Sequence, residues 1–304
     1  MKKKFEEEVL AVLGEEKILY REPMKKHTTF RVGGEAEYFL MPSSEEEIKA
    51  VLQLFKQYQI PFLTVGNGSN LLVGDRGIAG AVLHLGKNFS EIRAEGTSLH
   101  VQAGALLSSA AHFAAERELT GLEFAAGIPG SLGGAITMNA GAYGGEMKQV
   151  VRSVCVMTQE GDIRSFTKEE MEFGYRHSIV GEKKLLVLAA DFILEKGNKE
   201  DILAQMRELA GRRREKQPLE YGSAGSTFKR PQGYFAGKLI MDAGLAGFRI
   251  GGAQVSEKHC GFVINTGGAS AKDVMEVIRH VQSTVLEKYS VMLEPEVRFA
   301  GEFE

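Results

Sequence analysis

Two glycine-rich segments of the sequence combine exposed backbone amides with small polar side chains, a combination suited to binding phosphate groups. The first, GNGSN at 66–70, follows a short predicted strand. Its N–H groups and the side chains of Asn67, Ser69 and Asn70 could form a concave anion-binding site without a helix terminus. It is not a dinucleotide fingerprint, because GxGxxG would need glycine where Leu71 stands. A plain turn between strands is the alternative interpretation.

The second segment, GIPGSLGGAITMNAGAYGG at 127–145, contains seven glycines. A hairpin needs only one or two, and Pro129 with Gly130 sets a rigid turn. Residues 133–135 are so small that a flat ring or a pyrophosphate could lie against the main chain. Close packing of two backbones is the alternative, but two such loops separated by predicted strands favour a large nucleotide cofactor.

A third polar group lies near the carboxyl end of the chain. In an extended segment Glu294, Glu296 and Arg298 share one face, while Val297 and Phe299 point the other way. From the residues alone, a polar strand face on which Glu296 pairs with Arg298 is the simplest interpretation.

Metal and nucleic-acid chemistry are not expected. The seven histidines show no HExxH or other ligand spacing, and Cys155 and Cys260 are far apart with no CxxC motif. The 37 basic and 40 acidic residues give a net charge of −3, which argues against nucleic acid as a partner. The basic run RRREK at 212–216 lacks interleaved aromatics and ends a predicted helix, where cations are favoured.

The sequence predicts no membrane segment. No apolar stretch approaches the ~18 residues needed to span a bilayer, and the N-terminus is typical of an amphipathic helix ending at Gly14 rather than of a signal peptide. We therefore expect a cytoplasmic protein with no membrane and no obligate protein partner.

The elements that must position these groups follow an α+β pattern. Apolar periodicity predicts helices over 44–59, 106–117, 199–216 and 271–288, in addition to the N-terminal one. Apolar runs predict strands at Phe62–Val65, Gly80–Leu85, Leu99–Ala103, Val150–Thr158 and Leu185–Leu194, and an extended Leu293–Ala300. Capping boxes are expected at Ser44–Glu47, at Thr167–Glu170 before a short helix, and at Ser270–Asp273.

Six motifs follow one another along the chain: TTFRVGG, GNGSNLL, GIPGSLGGAITMNAGAYGGE, GYRHS, AGSTFKRP and LEPEVRF. Any one of them is weak, but in this order they are specific. From about residue 27 to 300 the sequence resembles the UDP-N-acetylenolpyruvoylglucosamine reductase (MurB) family. The AQVSEKHCGF segment is similar to the shorter branch of that family, which lacks an additional tyrosine loop.

The resemblance implies an α+β fold with an FAD-binding domain of the vanillyl-alcohol-oxidase (PCMH) type and a separate C-terminal α+β substrate-binding domain. The expected limits are 1–197 for the FAD-binding region (lobes 1–65 and 66–197), 198–290 for the substrate-binding domain, and 291–304 for a strand returning to the active site. It also implies non-covalent FAD, NADPH as co-substrate, and reduction of the UDP-sugar UDP-N-acetylglucosamine enolpyruvate to UDP-N-acetylmuramate, a step in peptidoglycan precursor synthesis.

Residue roles follow from the same resemblance. Ser226 in AGSTFKRP matches the proton donor, Arg176 in GYRHS an arginine that grips the substrate carboxylate, and Glu296 in LEPEVRF the catalytic glutamate. The residues implied for substrate binding are Tyr175, Lys216, Lys229, Arg230 and His259. Those implied for FAD are Arg31, Gly66, Asn67, Gly68, Ser69, Asn70, Leu71, Gly127, Ile128, Pro129, Gly130, Ser131, Gly133, Gly134, Ala135, Asn139 and Gly141.

Three positions depart from the family pattern, and two other functions stay open. Arg230 stands where asparagine is frequent, and Cys260 and Gly261 replace the usual alanine and asparagine, so a contact from position 261 is not expected. The alternatives to a reductase are an oxidase on the same flavin scaffold and a non-enzymatic nucleotide-binding module.

Overall fold

The computed structural model describes residues 1–303, and the chain divides into two compact units. The first unit contains Met1–Tyr20, Tyr38–Asn67 and Gly80–Arg212. The second contains Arg21–Glu37, Gly68–Ala79 and the chain from Arg213 onward. These bounds differ from the predicted domain limits, because two short N-terminal segments belong to the second unit and the division falls inside the helix Lys199–Lys216.

The first unit is built around a five-stranded antiparallel sheet. Its strand order is Ile163–Thr167, Val151–Met157, Leu186–Ile193, Ser98–Gln102 and Ile92–Glu95. The central strand, LVLAADFI, is buried over most of its length, as a strand covered on both faces requires. Two short antiparallel ribbons pair Leu119–Thr120 with Glu195–Lys196 and Gly141–Ala142 with Gly145–Glu146.

A second sheet has four strands. Their order is Ile18–Pro23, Glu35–Leu40, Ile78–His84 and Phe62–Val65, and the last two are parallel. The helices of the first unit are Lys2–Leu13, Glu45–Tyr58, Leu107–Ala115, Leu132–Thr137, Met147–Val150, Ile179–Glu182 and most of Lys199–Lys216. Its 3₁₀ turns are Glu15–Lys17, Lys87–Phe89 and Glu123–Ala125. Aromatic contacts join the first two helices, since the Phe5 ring lies within 6.2 Å of the ring centroids of Phe55 and Tyr58.

The second unit has its own core. Its strands are Arg249–Ile250, Ala253–Val255 and Val263–Asn265, which form an antiparallel sheet, and Leu71–Val73, which pairs in parallel with Arg298–Ala300. Its helices are Ala236–Asp242 and Ala271–Tyr289, with a 3₁₀ turn at Met24–Lys26. The long helix buries the predicted stripe of Val274, Val277, Ile278, Val281 and Val285. Ser270 and Asp273 form the expected capping box at its start.

Most predicted elements are confirmed with shifts of at most two residues, because their apolar periodicity agrees with the burial that the fold provides. The extended segment Leu293–Ala300 is an exception, since only Arg298–Ala300 belongs to a strand. Within it Val297 is buried as expected, but Phe299 is 41% exposed rather than packed.

Two capping predictions are wrong in part. Thr167 and Glu170 exchange both expected hydrogen bonds, but the chain continues as a turn because Glu172 has φ 49°, which a right-handed helix excludes. Ser44 caps its helix by accepting from the Glu47 amide, whereas the Glu47 carboxylate accepts from the Ser43 amide instead of closing the box. The helix Leu132–Thr137 inside the second glycine segment was not expected either, since paired glycines disfavour helices.

Candidate active site

The two glycine segments meet within the first unit. The side-chain amide of Asn67 donates to the carbonyl of Pro129 with an N–O distance of 2.6 Å. The second segment is held in turn by the Gly133 amide, which donates to the carbonyl of Ala103 (2.9 Å) just beyond a sheet strand. The rigid five-stranded sheet thus supports both segments.

Protein packing accounts for some of the glycines but not for Gly134. A Cβ at Gly66 would lie 1.9 Å from the Ser131 hydroxyl, and one at Gly141 would lie 2.6 Å from a backbone carbonyl. At Gly134, exposed in the helix Leu132–Thr137, the nearest atom to an added Cβ beyond the local helix backbone would be the Ser131 hydroxyl oxygen, 3.9 Å away. Glycine in a helix costs up to ~1 kcal/mol relative to alanine, and no protein atom requires it here. Such a position is where a bound group can approach the main chain closely.

The first glycine segment continues into the second unit, where it contacts other residues. Gly68 has φ 59°, and a Cβ there would lie 1.9 Å from the carbonyl oxygen of His27. The Asn70 side-chain amide donates to the carbonyl of Glu296 (3.1 Å), and the main-chain carbonyl of Asn70 accepts from the Arg298 amide (3.0 Å). Asn70 therefore holds the segment that carries the predicted catalytic glutamate.

The remaining residues implied for FAD differ in exposure. Those that are exposed or half-buried are Arg31, Ser69, Leu71, Gly127, Ile128 and Pro129. Those that are buried are Gly130, Ser131, Ala135 and Asn139. Arg31 also has a left-handed φ of 59°, which turns the chain sharply before the buried Val32. The Asn139 side chain directs its hydrogen bonds into the protein, and Gly130 and Ala135 carry no polar side chain, so these three could contribute only main chain to a ligand.

Arg176 stands at the tip of a two-residue turn in the first unit. Gly174 and His177 close this turn by exchanging backbone hydrogen bonds of 3.1 and 3.3 Å. The φ of Arg176 is 54°, a left-handed conformation that disfavours side chains other than glycine and asparagine. Its guanidinium lies 5.3 Å from the ring centroid of Tyr175, which is 59% exposed. The turn thus presents both predicted residues together.

In the second unit, main-chain hydrogen bonds hold the segment that carries Ser226 next to the segment that carries Glu296. The Glu296 amide donates to the carbonyl of Thr227, and the Lys229 amide donates to the carbonyl of Glu294, each at 2.8 Å. Ser226 and Glu296 are both half-buried. The Lys229 ammonium forms an ion pair with the Glu294 carboxylate. Two of the three predicted catalytic residues therefore lie in adjacent segments of one unit.

Two threonines, the buried Thr227 and the half-buried Thr29, also hold the serine loop in place. The Thr227 amide donates to the carbonyl of Gly261 (2.8 Å), and its hydroxyl accepts from the Val263 amide (2.9 Å). Upstream, the Thr29 hydroxyl donates to the carbonyl of Ser223 (2.6 Å). Sequence reasoning missed these positioning threonines, although both lie inside quoted motifs, because side chains that bond only to main chain carry no spacing signal.

The three cations predicted to bind substrate all belong to the second unit. Lys216 is exposed at the end of its helix, and Lys229 is held by its ion pair. The guanidinium of Arg230 lies 4.0 Å from the ring centroid of the exposed Phe235, a cation–π contact that orients it. Arg230, which departs from the family pattern, is thus supported by an aromatic residue of the same unit.

His259 is half-buried beside the serine loop. Burial lowers the pKa of its imidazole, with a backbone hydrogen bond opposing part of that effect. In the neutral ring, Nδ1 accepts from the Gly261 amide (3.1 Å), and the ring packs edge-on against Phe262. A Cβ at position 261 would lie 2.9 Å from the imidazole, so glycine there leaves room for the ring. His259 therefore supports the local main chain whether or not it touches a ligand.

Neither a metal site nor a membrane span is found among residues 1–303. No group of three or more histidine, cysteine or acidic side chains in this part of the chain could hold a metal ion. Within the same residues, no helix combines the length and apolar character that crossing a bilayer requires.

Two family matches indicate a flavoprotein with a distinct C-terminal domain. Residues 36–167 match the FAD binding domain family, and residues 217–300 match the C-terminal domain of UDP-N-acetylenolpyruvoylglucosamine reductase. A solved glucose oxidase variant of Phl p 4 shares the fold, with a TM-score of 0.51 at 14% identity over 64% of this chain and 44% of its own.

Closer relatives identify the family. UDP-N-acetylenolpyruvoylglucosamine reductases from Lachnoclostridium phytofermentans and Clostridioides difficile are 54% and 53% identical to this chain, each over 97% of both sequences. The crystal structure of the Thermus caldophilus reductase (MurB) superposes with a TM-score of 0.80 at 37% identity, covering 93% of this chain and 98% of that one. The chain belongs to the UDP-N-acetylenolpyruvoylglucosamine reductase family of FAD-dependent oxidoreductases.

FAD fits the residues present. The open space at Gly134 suits a flat ring or a pyrophosphate, and so does the first glycine segment, which contacts the second through Asn67 and Pro129. Family membership also favours the reductase over the oxidase and the non-enzymatic module that the sequence left open.

Proposed function

We propose that this chain reduces the enolpyruvyl group of UDP-N-acetylglucosamine enolpyruvate to give UDP-N-acetylmuramate, with NADPH as the source of reducing equivalents. The observation that supports this most is the pairing of the Ser226 and Glu296 segments through the Glu296 amide and the Thr227 carbonyl (2.8 Å). It places the segment that carries the hydroxyl next to the segment that carries the carboxylate, and protonation of a substrate carbon needs a donor whose proton is oriented or replaced by a second group.

The reaction sets two requirements on the protein. A hydride adds to the terminal methylene of the enol ether, and a proton adds to the neighbouring carbon. Negative charge therefore develops on that carbon and on its carboxylate, which calls for a cation at the carboxylate and a proton donor at the carbon. Bound FAD supplies the hydride, and side chains of this protein supply the other two.

We assign proton donation to the Ser226 hydroxyl. Serine is a weak acid in water, but a carbanion is a strong base, so the position of the hydroxyl matters more than a low pKa. The loop that carries Ser226 is bonded through main-chain atoms to the segments at Glu296 and Gly261. Such support limits the freedom of the hydroxyl group. Glu296 is assigned to orient Ser226 or to restore its proton.

We assign the substrate carboxylate to Arg176. A guanidinium presents planar paired donors that match a carboxylate, and it stays charged at every physiological pH. The turn at Gly174–His177 exposes Tyr175 beside it, which offers an apolar surface to the sugar. We assign the remaining anionic and polar parts of the UDP-sugar to Lys216, Lys229, Arg230 and His259.

We assign FAD to the main chain of the two glycine segments. The positions concerned are Gly66–Leu71, Gly127–Ser131, Gly133–Ala135 and Gly141, together with Arg31. Mutual support of the two segments through Asn67 and Pro129 favours this assignment, because a preformed cradle loses little entropy on binding. The cytoplasmic location, the absence of an obligate protein partner and membership of the shorter family branch remain predictions.

The test is anaerobic oxidation of NADPH by the purified flavin-containing protein, with and without the enolpyruvyl sugar nucleotide. We expect one NADPH consumed for each UDP-N-acetylmuramate formed, with little consumption in the absence of the sugar nucleotide. Sustained turnover only after oxygen is readmitted would indicate an oxidase and contradict the proposal. Protein that takes up no FAD would contradict the assignment of the glycine segments.

A further inference from the structure

The side chain of Asn139 directs its hydrogen bonds into the protein. Asn139 is 1% exposed, and its Nδ2 donates both to Glu146 Oε2 (2.9 Å) and to the carbonyl of Gly174 (3.0 Å). Its Oδ1 accepts from the Lys148 amide (2.9 Å). Because a primary amide has two N–H groups, both donors of this side chain are occupied. The resemblance implied a cofactor contact at Asn139, but its side chain has no donor left for one.

The neighbouring carboxylate fixes the orientation of the Asn139 amide. Glu146 accepts from Asn139 through Oε2, and its Oε1 lies 2.8 Å from the Lys148 ammonium. Rotating the amide by half a turn would place Oδ1 against the Glu146 carboxylate and the Gly174 carbonyl, which are both acceptors. The N–H groups therefore point to the Gly174 carbonyl in the only arrangement that satisfies all partners.

That carbonyl belongs to the turn that carries Arg176. Gly174 accepts one hydrogen bond from His177, which closes the turn, and a second from Asn139. On the other side of the turn, the 2% exposed Ser178 donates to the carbonyl of Thr137 (2.9 Å). Both ends of the turn are thus tied to residues 137–139, which directly follow the glycine-rich stretch of the second segment.

The turn needs this support because its backbone is strained. Arg176 adopts a left-handed φ of 54°, which a residue other than glycine keeps only when its surroundings impose it. Asn139 is itself left-handed, with φ 42°, a conformation that asparagine tolerates. The hydrogen bond from Asn139 to the Gly174 carbonyl thus joins one left-handed residue to the turn that contains the other.

We propose that Asn139 is a positioning residue that holds the Arg176 turn in the conformation that binds the substrate carboxylate, and that it does not bind the cofactor through its side chain. This inference rests on the role proposed for Arg176. One buried side-chain amide thereby connects the glycine segment assigned to FAD with the turn that carries the arginine assigned to the substrate.

The test compares Asn139→Gly with the wild-type holoenzyme. Glycine accepts the left-handed φ, so this variant removes the side chain without adding strain. We expect flavin content and the rate of flavin reduction by NADPH to stay within about threefold of wild type. The rate at which the enolpyruvyl substrate reoxidises the reduced flavin should fall by ~10- to 100-fold, because Arg176 is no longer positioned to bind the substrate carboxylate. Asn198→Ala, which removes a helix cap in the same unit, controls for general loss of stability.

Coupling to Arg176 separates positioning from a merely structural role. In an Arg176→Lys background, Asn139→Gly should slow the substrate half-reaction by less than about threefold, since the group it positions has already been altered. The inference would be overturned if Asn139→Gly slowed the substrate half-reaction as much in the Arg176→Lys background as in wild type. A loss of bound FAD in proportion to the loss of turnover would overturn it as well. If Asn139→Gly does not fold, Ser178→Ala decides: it should show the same split between the two half-reactions, and equal slowing of both would refute the proposal.

The proposed function can fail separately. If wild-type protein does not reduce the enolpyruvyl substrate, the function itself is wrong. If wild type is active and Arg176→Lys is impaired while Asn139→Gly matches wild type in both half-reactions, only the positioning inference is lost.

Discussion

The segments that carry Arg176 and Ser226 are held in place by different kinds of bond. The Arg176 turn depends on two buried side chains, Asn139 and Ser178, each of which donates one hydrogen bond to main chain. The Ser226 loop is held mainly through main chain, including the pairing of the Glu296 amide with the Thr227 carbonyl. A main-chain bond survives nearly any substitution, whereas a side-chain bond is lost with one. The arginine should therefore be easier to misplace by mutation than the serine.

Removing the reacting group itself should have the largest effect. Ser226→Ala deletes the proposed proton donor and leaves the surrounding main-chain bonds unchanged, so we expect kcat to fall by ~10²- to 10⁴-fold, the range typical of general acid catalysis. Flavin absorbance per polypeptide and the rate of flavin reduction by NADPH should match wild type. Steady-state turnover and anaerobic rapid mixing measure these quantities. Turnover close to that of wild type would remove Ser226 from the mechanism.

Changing the guanidinium of Arg176 should have the next largest effect. This effect should appear in kcat/KM for the sugar nucleotide. Arg176→Lys retains the charge but loses the planar paired donors, which are worth ~1.5–3 kcal/mol in a charge-assisted pair. We expect kcat/KM for the sugar nucleotide to fall by roughly 10- to 100-fold. Arg117→Lys, on an exposed helix end in the same unit, is the matched control and should have wild-type kinetics. A change confined to the KM for NADPH would contradict the assigned role.

Gly134, in the second glycine segment, gives a third test. Gly134→Ala places a methyl group where the nearest atom beyond the local helix backbone, the Ser131 hydroxyl oxygen, is 3.9 Å away, so the protein without flavin should become more stable, by up to ~1 kcal/mol. If FAD lies against this main chain, its dissociation constant should rise by about tenfold in the same variant. Chemical denaturation and flavin titration measure the two effects. Increased stability with unchanged FAD affinity would show that the cofactor does not approach residue 134.

The contrast between the two regions also explains what the sequence could predict. Helices such as Ala271–Tyr289 have an apolar stripe that matches one buried face, so their existence and limits were readable from periodicity. The roles of Ser226, Arg176 and Glu296 were assigned through a resemblance carried by ordered motifs, and they remain predictions. The bonds of Asn139 were not predictable, because they depend on which carbonyl the folded chain brings to within 3 Å of a buried amide.

The division of the chain into its two compact units was not predictable from the sequence either. Arg21–Glu37 and Gly68–Ala79 belong to the second unit although they are surrounded in sequence by the first. One of their tertiary hydrogen bonds, from the Asn265 side chain to the carbonyl of Phe30 (3.0 Å), joins residues 235 positions apart. Composition along the chain cannot reveal such pairings, since no local pattern encodes a distant partner.

A conservative change in the main-chain-supported region should have little kinetic effect. Thr29→Val removes the hydroxyl that donates to the carbonyl of Ser223, but the Ser223 amide still donates to the carbonyl of Thr29 (3.1 Å). We expect kcat within about threefold of wild type and a free energy of unfolding lower by about 1 kcal/mol, the net value of one hydrogen bond. A tenfold loss of kcat with unchanged stability would show that the serine loop depends on side chains as much as the Arg176 turn does.

The smallest expected effect concerns pH and His259. Because burial lowers the pKa of this imidazole below its ordinary value of 6.5, the folded state binds its proton less readily than the unfolded state does. Its contribution to stability is therefore fully present above pH 6.5 and is lost as the pH falls through the lower folded-state pKa. Denaturation of wild type and His259→Gln between pH 7.5 and about 5 should show a steeper decline for wild type. Parallel curves would mean that the imidazole is as accessible to protons in the folded protein as in the unfolded chain, and that His259 does not support the Gly261 amide in its neutral form.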